Sequence, residues 1–198
     1  LAISKDYYTI NKKNKFITNN NSRNLGNFLR SRYDCLLTTS KTINKDNPLL
    51  NCRTKGLERK SPSLIILDRY FKIKKNIKIL QTKKRKIYIF TTIHNKLKER
   101  FFRKKGIQII KVPLKDLEPN NLFYKIKKLG LNRVFVESGA SFLSQLVKFN
   151  IVKNLYLFKS SKKLLFDGQN NCNIIYIKKI KLSKKIKVSV NLNGDSLY

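Results

Sequence analysis

Apolar residues in this chain gather into short dense runs separated by polar stretches, and two kinds of spacing alternate. Leu64-Ile65-Ile66-Leu67, Ile87-Tyr88-Ile89-Phe90, Ile107 to Val112, Val134-Phe135-Val136 and Leu155-Tyr156-Leu157-Phe158 are rich in β-branched and aromatic residues, the pattern of buried strands. Cys35-Leu36-Leu37, ending in Thr38 and Thr39, is another. Between these runs the spacing turns helical. Leu25, Phe28 and Leu29 follow the cap-type residues Asn19 to Asn21 and run to Arg32; Leu97 and Phe101 precede Gly106; Leu122, Ile126 and Leu129 precede Gly130; Leu143, Leu146 and Val147 follow Gly139. Leu1 to Ser4 reads as the end of a strand, Asp6 to Thr9 as a turn, and Phe16-Ile17-Thr18 as a short extended piece. Cys172 to Ile180 and Ile186 to Leu192 read as two β-rich segments. The alternation predicts an α/β domain: a mostly parallel central sheet flanked by helices, with an antiparallel C-terminal edge.

Two stretches carry candidate chemistry. In Cys35 to Arg53, a strand ends in polar residues, Pro48 places Asn47 in an extended conformation and excludes a helix there, and Leu49 and Leu50 anchor the chain again. Thr42, Asp46 and Arg53 are thereby expected on one loop held at both ends, and loops so held carry function more often than cores do. Arg53 has no acidic neighbour in sequence except Glu58. The second stretch, Glu137-Ser138-Gly139-Ala140-Ser141, follows an apolar strand and opens a helix, where free backbone N–H groups and the helix dipole favour a phosphate and Gly139 permits close approach. The G-x-G-x-x-G fingerprint of a Rossmann site is absent.

Charge adds a competing picture. The chain of 198 residues has 45 Lys and Arg against 11 Asp and Glu, a formal net charge of +34. Such an excess raises nucleic acid as a partner. The basic residues are nevertheless spread from Lys5 to Lys187, in a composition dominated by Lys, Asn and Ile that biased codon usage also produces. The runs Lys83-Lys84-Arg85-Lys86 and Lys178 to Lys187 read as solvated strand-edge and loop charge, with a nucleic-acid patch as the other reading. Cys35, Cys52 and Cys172 form neither a C-x-x-C pair nor an even set, and His94 is the one histidine, a surface residue by its Lys-rich setting. No metal site is indicated, and an intracellular location is the default. No apolar run approaches the ~18 residues of a membrane span. The 198 residues read as one domain, and the lack of any Met points to a cut from a longer polypeptide.

Five motifs in register carry a resemblance. Thr42-x-x-x-Asp46-Asn47-Pro48-x-Leu50-x-x-Arg53 resembles the T-x-x-x-D-D-P-x-L-x-x-R signature of the reductase domain of riboflavin biosynthesis. Ser4-x-Asp6 with Thr9, Phe16-Ile17-Thr18, Arg30 and Val136-Glu137-Ser138-Gly139-Ala140 match in the same order. That domain is usually the C-terminal half of a bifunctional deaminase-reductase, with a dihydrofolate-reductase-like fold. Phe16 stands where the family usually has Trp, Asn47 where it has Asp, and Tyr7 and Ser138 where it has Gly.

The resemblance implies NADPH-dependent reduction of 5-amino-6-(5-phosphoribosylamino)uracil, a phosphorylated pyrimidine, to its ribitylamino form, in a cytoplasmic homodimer with no specific nucleic-acid partner and no membrane. Residues 1–198 would be a single reductase domain without the deaminase. By the same resemblance Ala2, Thr9, Phe16, Thr42, Asp46, Gly139, Ala140, Ser141 and Phe142 bind the cofactor, and Arg30, Leu50, Arg53 and Glu137 bind substrate. Glu137 and Asp46 are the candidates for polar roles at the reacting centre, and no metal is expected. A basic nucleic-acid-binding module and a different reductase of the same fold remain as alternatives at this level.

Overall fold

A short apolar run bounded by polar turns must find partners for its backbone N–H and C=O groups, and neighbouring runs supply them. The computed structural model describes residues 1–14, 16–82, 85–171 and 190–197, and its contacts divide the chain into two units. One unit contains Leu1–Gly26 and Ala140–Tyr198. Here β1 (Ala2–Ile3) lies parallel to β8 (Phe158–Lys159), which pairs antiparallel with β11 (Asp195–Leu197), itself antiparallel to β10 (Val190–Leu192). This is an antiparallel edge near the C-terminus, formed here by β8, β10 and β11. A second ribbon joins β2 (Tyr8–Asn11) to β9 (Gly168–Asn171). Gly168 is required there, because a Cβ at that position would collide with the Tyr8 ring. Helix α1 (Asn20–Arg30) starts in this unit with Asn19 as its cap, its Oδ1 accepting from Ser22 N, and the buried Asp195 carboxylate accepts from Asn19 N and Ser22 Oγ.

The other unit, Asn27–Gly139, holds a five-stranded, wholly parallel sheet. Its strands are β3 (Cys35–Thr39), β4 (Ser63–Leu67), β5 (Ile87–Thr91), β6 (Ile107–Lys111) and β7 (Val134–Val136), in the spatial order β6-β5-β4-β3-β7. Parallel strands require crossovers, and α2 (Ser40–Asp46), α3 (Lys96–Lys104) and α4 (Pro119–Lys128) lie in the connections. Register stacks like residues in rows: Leu36 beside Leu64, Leu64 beside Ile87, Ile87 beside Ile107. That row packs with Ile66, Ile89, Ile109, Phe71 and Phe102 into one cluster, while Leu37, Ile65 and Phe90 are also fully buried. Burial of successive residues in β3, β4 and β5 shows the middle of the sheet covered on both faces, which is why those strands read as continuous apolar runs rather than alternating ones.

Several local expectations are overturned. Thr42 and Asp46 do not lie on a loop; they belong to α2, which starts at the end of β3. Thr39 caps it, accepting from Thr42 N, and Ile43 is the apolar residue that seats it in the core. Asn47 is not extended. It adopts the left-handed conformation (φ 42°, ψ 50°), its N–H bonded to Ile43 O and its side chain accepting from Lys78 N. Asparagine tolerates this conformation, and helix termination rewards it more than the following proline opposes it. Phe16-Ile17-Thr18 is bent rather than a strand, and the run at Leu155 pairs only at Phe158 and Lys159. Cys172 to Ile180, most of Ile186 to Leu192, Lys83, Lys84 and the run Lys178 to Lys187 lie outside the described residues. Among the described residues no helix is long and apolar enough to cross a membrane.

Candidate active site

The strand order places two chain segments side by side that are far apart in sequence. From β3 the chain winds outward through β4 and β5 to β6, then returns so that β7 lies on the opposite side of β3. Between β3 and β7 the winding reverses, and in open α/β sheets ligands bind beyond the C-terminal ends of strands at such a point. The two segments leaving those ends are Ser40 onward, and Glu137-Ser138-Gly139. Backbone pairing continues one step past β7, with Glu137 N donating to Leu37 O at 3.0 Å.

Arg30, at the end of α1, joins the two motifs singled out in the sequence. Its Nε and Nη2 donate to the two carboxylate oxygens of Glu137 at 2.6 and 2.8 Å, a two-pronged pair whose side chains are 14% and 26% exposed. Its Nη1 donates to Asn51 O at 2.8 Å and to Asn27 Oδ1 at 3.0 Å. The helix-end arginine thus serves neither its own last carbonyls nor solvent. It ties the Asn47-Pro48-Leu49-Leu50 turn to the residue that follows β7.

That turn is also gripped from the other side. Arg85 Nη1 donates to Leu50 O and Nη2 to Leu49 O, both at 2.6 Å. Leu50 is buried at φ 53°, a conformation that disfavours a branched side chain by about 1–2 kcal/mol and persists only where its surroundings impose it. Burial, aided by the nearby Arg30 charge and opposed by Glu137, pushes the Arg85 guanidinium down to about 10. Asn51 Oδ1, Arg85 Nε and Ser138 Oγ are buried with no hydrogen-bond partner among the described residues, so the surroundings of the pair retain unused polar capacity. By contrast, Cys35 in the adjoining strand is inert, its thiol pushed up to about 12 by burial and by Asp34.

Beyond the ends of β3 and β4 lies a cleft of about 580 Å³. Its lining includes Lys41, Lys45, Arg69, Lys72 and the half-exposed ring of Tyr70. The Arg69 guanidinium stands 5.0 Å from the Tyr70 centroid. The acid present, Asp68, is turned inward, accepting from Ser40 Oγ and from the backbone N–H groups of Lys72 and Ile73. The cleft is therefore cationic with an aromatic wall, a setting suited to a phosphate-bearing nucleotide.

The sequence-derived residues distribute as follows. Arg30 and Glu137 meet beside the Asn51 carbonyl, while Leu50, adjacent in sequence, is buried in the core cluster. Arg53 is exposed two residues beyond Asn51, with no ion pair among the described residues. Thr42 is engaged with Thr39, and Asp46 is exposed at the end of α2; Glu137 is paired with Arg30 rather than with Asp46. Among the described residues nothing lies within 4 Å of where a Cβ at Gly139 would stand, so backbone there is open to close approach. In the other unit, Ala2 lies in β1 and Thr9 in β2, Phe16 is exposed with the Arg23 guanidinium 4.3 Å from its ring centroid, and Ala140, Ser141 and Phe142 open α5 (Ala140–Lys148). Tyr7, where the resembled family has Gly, has φ 69°, which explains the preference for glycine at that position. Sequence reasoning missed Arg85 and Asn51. The available signal was thin: one arginine, with its planar fork, among three lysines.

Comparison with known proteins places these features in a family setting. A profile of the family described as the RibD C-terminal domain matches residues 6–170. The riboflavin biosynthesis protein RibD of Aquifex aeolicus is 29% identical over 154 residues, covering 78% of this chain and 42% of its own length. The 5-amino-6-(5-phosphoribosylamino)uracil reductase of Buchnera aphidicola from Acyrthosiphon pisum is 29% identical over 192 residues, covering 89% of this chain and 88% of its own. Among solved structures, RibD of Acinetobacter baumannii superposes with a TM-score of 0.78 at 20% identity, over 100% of this chain and 55% of that one. The chain thus spans about half, or less, of the two RibD proteins and most of the Buchnera reductase.

Proposed function

This chain belongs to the family of RibD C-terminal domains, and from that premise we propose that it reduces 5-amino-6-(5-phosphoribosylamino)uracil to the ribitylamino product with NADPH. The observation that carries the reading is Arg30, which holds the carboxylate of Glu137 and the backbone of the signature turn with one guanidinium. The name of the Buchnera relative supplies the substrate class.

Each residue then has a task that its placement supports. Arg30 fixes the direction of the Glu137 carboxylate, which offers its remaining acceptor capacity to polar groups of the substrate. Leu50, buried in the core cluster, anchors the turn that leads to Arg53. Arg53, exposed and without an ion pair among the described residues, meets the substrate phosphate with two parallel N–H donors. Asp46 acts as a polar group at the edge of the cofactor region rather than as a partner of Glu137. The nicotinamide cofactor supplies hydride to the sugar carbon, and the chain's part is binding, orientation and charge.

Residues of this chain fit such a cofactor. In the parallel-sheet unit these are Thr42, Asp46 and the open backbone of Gly139. The four cations of the cleft beyond β3 and β4 support NADPH over NADH, since the added phosphate is what a cluster of Lys and Arg would select. The same reading takes residues 1–198 as a reductase domain working as a cytoplasmic homodimer. The test is turnover. Purified protein given the phosphoribosylaminouracil should consume NADPH with kcat/KM at least about tenfold above that for NADH, and exchange of Lys41 and Arg69 to Gln should narrow that ratio. Absence of turnover with either cofactor would sink the reading, and equal use of both would sink its NADPH part.

A further inference from the structure

The basic run at Lys83 to Lys86 reads as solvated charge, yet the structure turns Arg85 inward, onto the turn that carries Leu50. Three successive carbonyls of that turn end on guanidinium groups: Leu49 O and Leu50 O on Arg85, Asn51 O on Arg30. Arg30 spends its remaining edge on Glu137. One line of contacts therefore runs from Arg85 through three peptide units to Arg30 and on to the carboxylate.

We propose that Arg85 is a positioning residue for the reductase site, clamping the Leu49–Leu50 turn so that the Arg30–Glu137 pair stands where substrate meets it. The proposal rests on the functional reading above, because the residues it positions are those assigned to substrate. Three observations favour positioning over plain loop support. The turn holds two left-handed residues, Asn47 and Leu50, within four positions, and backbone of that kind needs imposed geometry. Neutral donors would satisfy two carbonyls equally well, whereas a second guanidinium beside Arg30 is opposed by like charge and by burial. Finally, Arg85 touches Leu50 and Leu49 through both prongs of its fork, a geometry a lysine reproduces only in part.

The test compares Arg85→Met, which keeps the stem and removes the donors, with Arg85→Lys. For Arg85→Met we expect the KM for the phosphoribosylaminouracil to rise at least about tenfold, kcat to change less than about threefold, and the Kd for NADPH to stay within about twofold. Arg85→Lys should recover part of the loss. Amide exchange at Cys52, whose N–H is held by Ser61 Oγ just beyond the turn, should accelerate in Arg85→Met. Unchanged KM and unchanged exchange would overturn the proposal. So would a parallel fall in substrate affinity, NADPH affinity and melting temperature that Arg85→Lys fails to recover, since that is the signature of a purely structural residue. If Arg85→Met does not fold, Arg85→Lys decides: a raised KM with normal NADPH binding supports the clamp, and an unchanged KM refutes it. If the unmodified chain shows no turnover, the functional reading fails by itself, and exchange at Cys52 judges the clamp.

Discussion

Arg30 and Glu137, 107 residues apart in sequence, meet through two parallel hydrogen bonds of 2.6 and 2.8 Å. Neither side chain is more than about a quarter exposed, so each depends on the other for charge compensation. A double-mutant cycle with Arg30→Met and Glu137→Gln should give a coupling energy of about 1–3 kcal/mol in denaturant unfolding. Glu137→Gln alone should lower kcat/KM at least about tenfold, some 1.4 kcal/mol of lost transition-state binding. A coupling below about 0.3 kcal/mol would show that the pair is geometric only.

Arg53 separates substrate grip from fold. It is exposed and free of ion pairs among the described residues, so Arg53→Lys should shift stability by no more than about 0.5 kcal/mol. Turnover efficiency on the phosphorylated substrate should fall at least about tenfold, because a lysine keeps the charge and loses the fork. NADPH affinity should hardly move. Unfolding of the mutant, with full efficiency in the folded fraction, would make Arg53 a structural residue.

Asp34 sets an acid limit on the parallel-sheet unit. Its carboxylate accepts from the backbone N–H of Arg133 at 2.8 Å and of Asn132 at 3.0 Å, and from the Arg133 guanidinium. The Arg133 backbone bond, chief among these, holds its pKa below the ordinary 3.8. A carboxyl depressed on folding stabilises the native state fully above its unfolded value, and that contribution is lost as pH falls through the folded one. Stability should therefore drop from about pH 4 downward, and Asp34→Asn should flatten that part of the curve. An Asp34→Asn profile as steep as the original would exclude Asp34 as a source of the acid loss.

Gly168 tests the β2–β9 ribbon. A Cβ there would collide with Cγ and both Cδ atoms of Tyr8, which are ring atoms close to the backbone. Gly168→Ala should destabilise by about 1–3 kcal/mol, the usual cost of forcing extra volume into packed structure, and Tyr8→Ala in the same chain should relieve most of it. Additive losses in the double mutant would rule out the collision as the cause.

The parallel strands were legible because burial on both faces writes them as unbroken apolar runs, Leu64 to Leu67 and Ile87 to Phe90 among them. Helix α2 was not, since Ser-Lys-Thr-Ile-Asn-Lys-Asp contains one apolar residue and no period can be read from one point. Its cap at Thr39 was hidden inside a strand-like Thr-Thr pair. Asn47 defeated a local rule because the competing influence, termination of α2, was itself unread. Of the site, Arg30, Leu50 and Glu137 were named from motif order, and the meeting of Arg30 with Glu137 is tertiary. Arg85 was beyond reach. Its role depends on two carbonyls 35 and 36 residues earlier, and nothing in a basic run distinguishes an arginine that turns inward from one that does not.

The position of β7 beside β3 has a consequence for how the molecule is made. Cys35 and Val134 are paired although roughly a hundred residues separate them, so this contact closes a longer loop than the sequential β3 to β6 pairings do. Glu137 arrives with β7, and Arg30 has no carboxylate to hold until it does. A molecule in which β7 is unseated keeps β3 to β6 but lacks the Arg30–Glu137 pair. A ligand that engages Glu137 binds only molecules in which the last strand is seated, and by mass action it draws the population toward completion.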